Sequence, residues 1–176
     1  MIKTSNIDTP LGLMRAAATK EGVCLLEFGE GDSAKNSLDH VSKMLGMPVK
    51  EGVNRHLRML RRQLNEYFRG KRKDFSIKLV TPGTEFQISV WKSLQEIPYG
   101  KTISYLDHAR ILKNPEAVRA VAHANGENRI VIVIPCHRVI GADGNLIGYG
   151  GGLERKRWLI DHEKKNSGQA VEGTLF

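Results

Sequence analysis

Cysteine, histidine and arginine stand side by side at positions 136–138, in "IPCHRVIG", directly after the apolar run "RIVIVIP". A core strand gains nothing from ending in thiol, imidazole and guanidinium, because all three need partners once they leave water. One reading is a loop with a simply buried cysteine, as free cysteines commonly are. The other is a nucleophile held at a strand end. A thiol is a strong nucleophile only as thiolate, so Cys136 would need a neighbouring base or cation. His137 is adjacent, but neighbours on an extended strand point to opposite faces, so contact requires a turn or a bridging water. Glu163 is the candidate for orienting the imidazole, following the general logic of nucleophile, base and orienter. It lies in line with Leu153 and Ile160 on a final helix, "LERKRWLIDHE", as either a carboxylate with a buried partner or a solvated residue at a frayed end. These parts suit a thiol hydrolase, although no oxyanion-hole motif is recognisable and Cys followed by His is not a protease signature.

The elements that must position these groups belong to a chain of 176 residues, enough for one medium domain or two small ones. Hydrophobic residues at 40% and charged residues at 26% describe an ordinary globular protein. The net charge of +8 favours an anionic partner, nucleic acid first among them. "MIKTSNIDTPLG" lacks the apolar core of a signal peptide, and no run approaches membrane-spanning length, so the expected setting is cytoplasmic with no membrane partner. Cys24 and Cys136 are too few for a disulfide framework and fit no zinc-ligand spacing. No metal or cofactor is expected, and Cys136 would remain a free thiol.

The first half reads as a small unit of sheet and helices. "LGLMRAAA", the "TKEG" turn and "VCLLEF" predict a hairpin over residues 10–28, with Cys24 as a small core residue. A helix is expected over Ser33–Leu45, stopped by Gly46. A second carries Val53, Leu57, Leu60, Leu64 and Tyr67 as one buried stripe. Arg55, Arg58, Arg61, Arg62 and Arg69 occupy its other faces, as a solvated surface or a DNA contact. "FSIKLV" reads as another strand.

"TPGT" marks a boundary. Thr84 and Gln87 form a capping box ahead of Phe86, Val90, Trp91, Leu94 and Ile97, and "IPYGK" ends that helix. "TISYLDHARIL" gives a short helix, and "NPEAVRAVAHAN" another, with Asn114 at the N-cap and Pro115 at the first position. The pair resembles a helix-turn-helix. Its second helix carries Ala117, Ala120, Ala122 and Ala124, with Arg119 as its one long cation. That surface suits close approach to DNA or close packing in a core, and the pattern does not choose. Asp143-Gly144 predicts a hairpin after the Cys-His-Arg triplet, and "GYGGG" a loop poor in side chains.

"IPCHRVIGADGNLIGYGGGLERKRWLIDHE" resembles the active-site segment of the O6-alkylguanine-DNA alkyltransferases, the methylated-DNA–protein-cysteine methyltransferases. The similarity extends through "GTEFQISVWKSLQEIPYGKTISY" and "NPEAVRAVAHANGEN", covering residues 83–163, while "TPLG" and "LNEYFRGKRKDF" are compatible with the family's first domain. The resemblance implies an α+β chain: a small N-terminal antiparallel sheet with helices, ribonuclease H-like, over residues 1–82, then a mainly helical domain with a helix-turn-helix over 83–165. Residues 166–176 read as a tail.

It also implies a single-use repair enzyme. Cys136 would take a methyl or larger alkyl group from O6-alkylguanine, with O4-alkylthymine an open second substrate, and keep it as a thioether. His137 would act as base through a water, Glu163 would hold the imidazole, and Asn128 would brace the turn. Tyr105 would rotate out the phosphate and assist the departing guanine. Arg119 would fill the space of the flipped nucleotide, with Asn114, Ala120 and Ala142 beside the DNA. Val131, Val139, Tyr149, Gly150 and Gly151 would line or cover the base, and Arg138 would brace rather than react. Unstacking costs a few kcal/mol and favours weakly paired lesions, and minor-groove docking suits a helix of small residues. The implied partner is double-stranded DNA met by a monomer. Departures from the family pattern are His108, Ala122, His123 and Arg129, with His123 read as a groove-edge residue. Members of the non-repairing alkyltransferase-like group lack the cysteine, so Cys136 argues against that alternative. "QAVEGTLF" is similar to sliding-clamp-binding peptides, but the motif is incomplete and its composition favours a disordered end.

Overall fold

The computed structural model describes residues 1–29 and 31–168. The "QAVEGTLF" clamp motif therefore lies outside the described residues. By its internal packing the chain forms two units, one of residues 1–84 with 129–131, the other of 85–128 with 132 onward. Among the described residues, no helix is long and apolar enough to cross a membrane.

In the first unit, strands β1 (Ile2–Thr9), β2 (Gly12–Ala18) and β3 (Val23–Phe28) pair antiparallel in chain order. The short β4 (Val49–Glu51) joins parallel to β1, giving the order β3-β2-β1-β4. The hairpin of β2 and β3 matches its sequence pattern, whereas β1 did not announce itself. Its inward positions include a threonine, and Thr4 is tolerated there because its hydroxyl donates to the Ala16 carbonyl at 2.9 Å. Helix α1 (Asp32–Leu45) buries Ala34, Leu38 and Val41 and stops at Gly46, which takes the left-handed conformation at φ 61°. Helix α2 (Arg55–Phe68) buries Leu57, Leu60, Leu64 and Tyr67. Val53 precedes the helix and is exposed, so it does not belong to the stripe. Asn54 caps α2 by accepting from the Leu57 amide at 3.0 Å.

"FSIKLV" is not a regular strand. Its backbone pairs around one residue only, with Val23 donating to the Lys78 carbonyl and Val80 donating to Val23. The amide of Ser76 donates instead to the Gln63 side chain at 2.9 Å, which ties the segment to α2. Gly22 permits the close approach, since a Cβ there would stand 2.5 Å from the Lys78 oxygen.

The second unit is mainly helical, with α3 (Glu85–Gln95), α4 (Tyr105–Ile111), α5 (Val118–Gly126) and α6 (Leu153–Asn166). Val90, Trp91 and Leu94 of α3 are buried, and the Trp91 indole donates to the Ala124 carbonyl of α5 at 2.9 Å. Phe86, expected in the same stripe, is exposed. Asn114 and Pro115 open a 3-10 turn (Pro115–Ala117) that leads into α5, and the Asn114 side chain makes no capping bond. A two-stranded parallel ladder links β5 (Ile103–Ser104) to β6 (Val139–Ile140), pairing Ile103 with Val139. This ladder fixes the start of α4 relative to the Cys-His-Arg segment. The Asp143-Gly144 turn forms, but no hairpin follows, since Val139–Ile140 pairs with β5 and only Gly141 bonds back, to the Asn145 carbonyl at 2.8 Å.

His108, on α4, is fully buried, with Nε2 against the Ser93 hydroxyl at 3.1 Å and Nδ1 without a described partner. Burial pulls its pKa down to about 4. The unfolded chain therefore binds this proton over a pH range where the folded chain refuses it, so the stability is complete above about 6.5 and drains away towards about 4. Replacing His108 with Leu should flatten the stability profile in that window by up to ~3 kcal/mol at its acid end, read by urea denaturation at a series of pH values.

Candidate active site

The run "RIVIVIP" is not the strand its composition predicts. Ile130 and Val131 belong to the first unit, where Val131 donates to the Leu26 carbonyl at 2.9 Å. Ile132 then takes a left-handed conformation, φ 72°, which a β-branched residue rarely adopts, and the chain turns. Apolar composition reported burial correctly, since every residue from Ile130 to Ile134 is buried. It could not report the path.

Pro135 sits at the centre of an inverse γ-turn, φ −82° and ψ 64°, closed by the Cys136 amide donating to the Ile134 carbonyl at 2.8 Å. The proline ring fixes φ near the required value and needs no donor of its own. Cys136–Arg138 then forms one 3-10 turn. Cys136 and His137 are thus not on an extended strand, and the alternation that would have sent them to opposite faces does not apply. Asn128 braces this corner from behind, its amide donating to the same Ile134 carbonyl at 2.8 Å.

Glu163 is the hub of the site. It is buried at 1% exposure inside α6, which continues past it to Asn166, so it is no frayed end. The His137 Nε2 donates to its Oε1 at 2.7 Å. Arg138 donates from Nε to Oε2 at 2.8 Å and from its terminal nitrogen to Oε1 at 3.1 Å, a forked pair. The Gly100 amide adds a bond to Oε2 at 3.3 Å. Gly100 holds φ +79°, and a Cβ there would come within 2.7 Å of Ser167, so "IPYG" needs its glycine. Arg138 spends its remaining nitrogen on the Ile97 carbonyl at 2.6 Å. Leu153, expected in line with Glu163, is instead exposed, and the buried positions of α6 are Lys156, Leu159, Ile160 and Glu163.

Burial alone would raise the Glu163 carboxyl, but His137 and Arg138 outweigh it and hold the group well below the usual carboxylate range. Burial lowers His137, against the pull of Glu163, and keeps the imidazole neutral. With an ionised carboxylate facing Nε2, the ring proton resides on Nε2, leaving Nδ1 as the lone-pair nitrogen. Nδ1 is buried and has no described protein partner. Burial also raises the Cys136 thiol, with Asn128 and Lys156 opposing the rise. The resting cysteine is a protonated thiol.

Tyr105 is half-buried at the first position of α4, and its hydroxyl donates to the Ile147 carbonyl at 3.0 Å. Ser104 caps that helix by accepting from Asp107 at 3.0 Å. Val139 is buried beside the 3-10 turn. Tyr149 is half-buried with its hydroxyl buried and without a described partner, while Gly151 is half-buried and Gly150 exposed. Arg119, Ala120, Asn114 and Ala142 are exposed. His123 is exposed as well and pairs with Glu127 at 2.7 Å. Val131 lies in the first unit and is not among the groups that the second unit gathers.

Two family models match the chain. The 6-O-methylguanine DNA methyltransferase DNA binding domain covers residues 85–165, and the ribonuclease-like domain of the same methyltransferase covers residues 2–81. The chain belongs to this family. It is 42% identical to a methylated-DNA--protein-cysteine methyltransferase of Methanosarcina barkeri, over 91% of this chain and 96% of that protein. It is 41% identical to one of Mycolicibacterium paratuberculosis over 100% and 99%. Among solved structures, Mycobacterium tuberculosis OGT in complex with DNA superposes with a TM-score of 0.78 at 40% identity, over 94% of this chain and 93% of that one.

Within this methyltransferase family member, sequence reasoning passed over Lys156. It stands in "ERKR", which reads as a solvated charge run, yet it is fully buried. Its ammonium donates to the Ile147 carbonyl at 2.9 Å and the Gly148 carbonyl at 3.3 Å, and lies 5.7 Å from the centre of the Tyr105 ring. Burial lowers its pKa to about 8. Lys156 and Tyr105 therefore share the Ile147 carbonyl and tie the "GYGGG" loop to the helix start. Only its place on the same helical face as Leu159, Ile160 and Glu163, which follow it by three, four and seven residues, could have flagged it.

Arg138 is expected to be structural. Arg138→Ala should cost roughly 3–5 kcal/mol by leaving Glu163 buried and uncompensated, and the Arg138→Met, Glu163→Gln pair should cost less than Arg138→Ala alone. Thermal and urea denaturation of the three variants measures this.

Proposed function

We propose that this chain repairs DNA by moving a methyl or larger alkyl group from O6-alkylguanine in duplex DNA onto its own Cys136, one group per chain, acting as a monomer. The observation that carries the reading is the buried relay of Glu163, His137 and the Cys136 turn, within a chain of this family. The neutral His137, with its lone pair on Nδ1, is set to receive the thiol proton through a water. Glu163 steadies the imidazolium that forms, and Arg138 keeps Glu163 ionised throughout. The sulfur then attacks the alkyl carbon as the bond from that carbon to O6 breaks. The departing guanine collects a proton, with the Tyr105 hydroxyl as donor and His137 as the eventual source. Thiol proton and alkyl group have exchanged places, and the thioether has no route back.

An alkyl carbon inside a stacked duplex cannot be approached in line, so the nucleotide must leave the helix. Exposed Arg119 at the start of α5, next to Ala120, suits a side chain that fills the vacated space. Tyr149, Gly150 and Gly151, with Val139, form the pocket for the extruded base, and Lys156 holds that loop against Tyr105.

Duplex DNA carrying radiolabelled O6-methylguanine tests the reading. One label per chain should become fixed to the peptide containing Cys136, and Cys136→Ser should take up none. His137→Ala should slow transfer by about 100-fold or more. Bound but unmodified DNA, or sustained turnover of an ester or amide, would refute it. Arg119→Ala should slow transfer from duplex DNA while leaving transfer from free O6-methylguanine base unchanged, which separates extrusion from chemistry in single-turnover assays.

A further inference from the structure

The charge of this chain is not where its DNA-binding domain is. Residues 55–73 hold eight lysines and arginines against one carboxylate, Glu66, while the whole chain carries a net +8. Residues 85–165 hold twelve against nine carboxylates, and two of those cations, Arg138 and Lys156, are buried in the active site. Helix α5 brings Arg119 as its single arginine or lysine.

The basic residues of α2 fall on one side. Its buried positions are His56, Leu57, Leu60, Gln63, Leu64 and Tyr67. At 100° per residue, Arg58 and Arg62, with Arg69 at the C-terminal cap, lie in a row directly opposite them, spread over about 16 Å of helix axis. All three are exposed. Glu66 is turned to Arg72 at 2.6 Å and reaches Arg62 only at 3.9 Å, while Arg58 and Arg69 form no ion pair among the described residues. Arg61 is different, since it donates to the Asn6 carbonyl at 3.1 Å and serves the fold.

We infer that the row of Arg58, Arg62 and Arg69 along α2 and its C-terminal cap is a phosphate-binding surface for duplex DNA, so that the first unit supplies most of the non-specific affinity while the second reads and repairs. The inference rests on the DNA-repair reading above. A row of exposed arginines is complementary to a rod that carries a negative charge about every 1.7 Å of its axis, and each phosphate neutralised releases counterions. The small-residue helix α5 brings a single arginine toward that term.

Full-length protein and its Arg58→Gln, Arg62→Gln, Arg69→Gln triple variant should be titrated with an unmodified duplex of ~25 base pairs by fluorescence anisotropy, between 50 and 200 mM salt. At about 0.9 per phosphate contact, loss of three contacts should flatten the slope of log K against log salt by roughly 2.7, so that the fourfold rise in salt weakens the variant about 40-fold less than the parent. The corresponding triple lysine variant should restore the parental slope, since a phosphate accepts any cation at that place. Alkyl uptake from free O6-methylguanine base should be equal in all three proteins. Parallel slopes for parent and glutamine triple would overturn the inference. So would a lysine triple as shallow as the glutamine one, or a variant that loses binding only to vesicles of anionic phospholipid. A parent that takes no alkyl group from DNA or free base would instead sink the repair reading, which the salt slopes do not measure.

Discussion

A single buried carboxylate organises the reactive half of this protein. Glu163 gathers an imidazole, a guanidinium and a backbone amide within hydrogen-bonding distance, in a place where water does not reach. An isolated charge there would cost several kcal/mol. The forked Arg138 contact is what lets the carboxylate remain ionised, and the ionised carboxylate is what fixes the His137 tautomer. In the proposed mechanism three consecutive residues divide the labour: Cys136 reacts, His137 moves a proton, and Arg138 steadies the carboxylate that orients His137. The order of the triplet in sequence reflects this division, since one 3-10 turn must present all three inward at once.

The framework around that hub is made of short, unusual backbone. The γ-turn at Pro135, the left-handed Ile132 and the positive φ of Gly100 are each local departures from regular structure. The Asn128 side chain and the two-residue β5–β6 ladder hold them in place. Of the three only Ile132 is strained, because glycine takes a positive φ freely and an inverse γ-turn suits proline, and such strain persists only where surrounding contacts over-determine it.

Much of this was legible in the sequence, for reasons that are physical. Helices α1, α2 and α3 were visible because their apolar residues recur with the helical period, and the α2 stripe of Leu57, Leu60, Leu64 and Tyr67 lies in the core. Cys136, His137 and Glu163 stood out as reactive types beside apolar runs, but a buried cysteine and a frayed helix end explained them as well, and it was the family resemblance that grouped them. Other features were hidden because they depend on partners brought together only by folding. The buried Thr4 masked β1, and Lys156 looked solvated because its acceptors are loop carbonyls with no signature of their own. "RIVIVIP" misled because a run of buried residues looks the same whether the chain continues straight or turns. The Asp143-Gly144 turn misled because a turn does not guarantee that the strands beside it pair with each other.

The raised pKa of the buried Cys136 thiol carries a consequence for the protein's life between lesions. A sulfur kept protonated and only 5% exposed is a poor target for peroxide, disulfides and stray electrophiles, all of which consume thiolate. A reagent that can be spent once must not be spent by accident. The desolvation that keeps the sulfur protonated thus also keeps it in store.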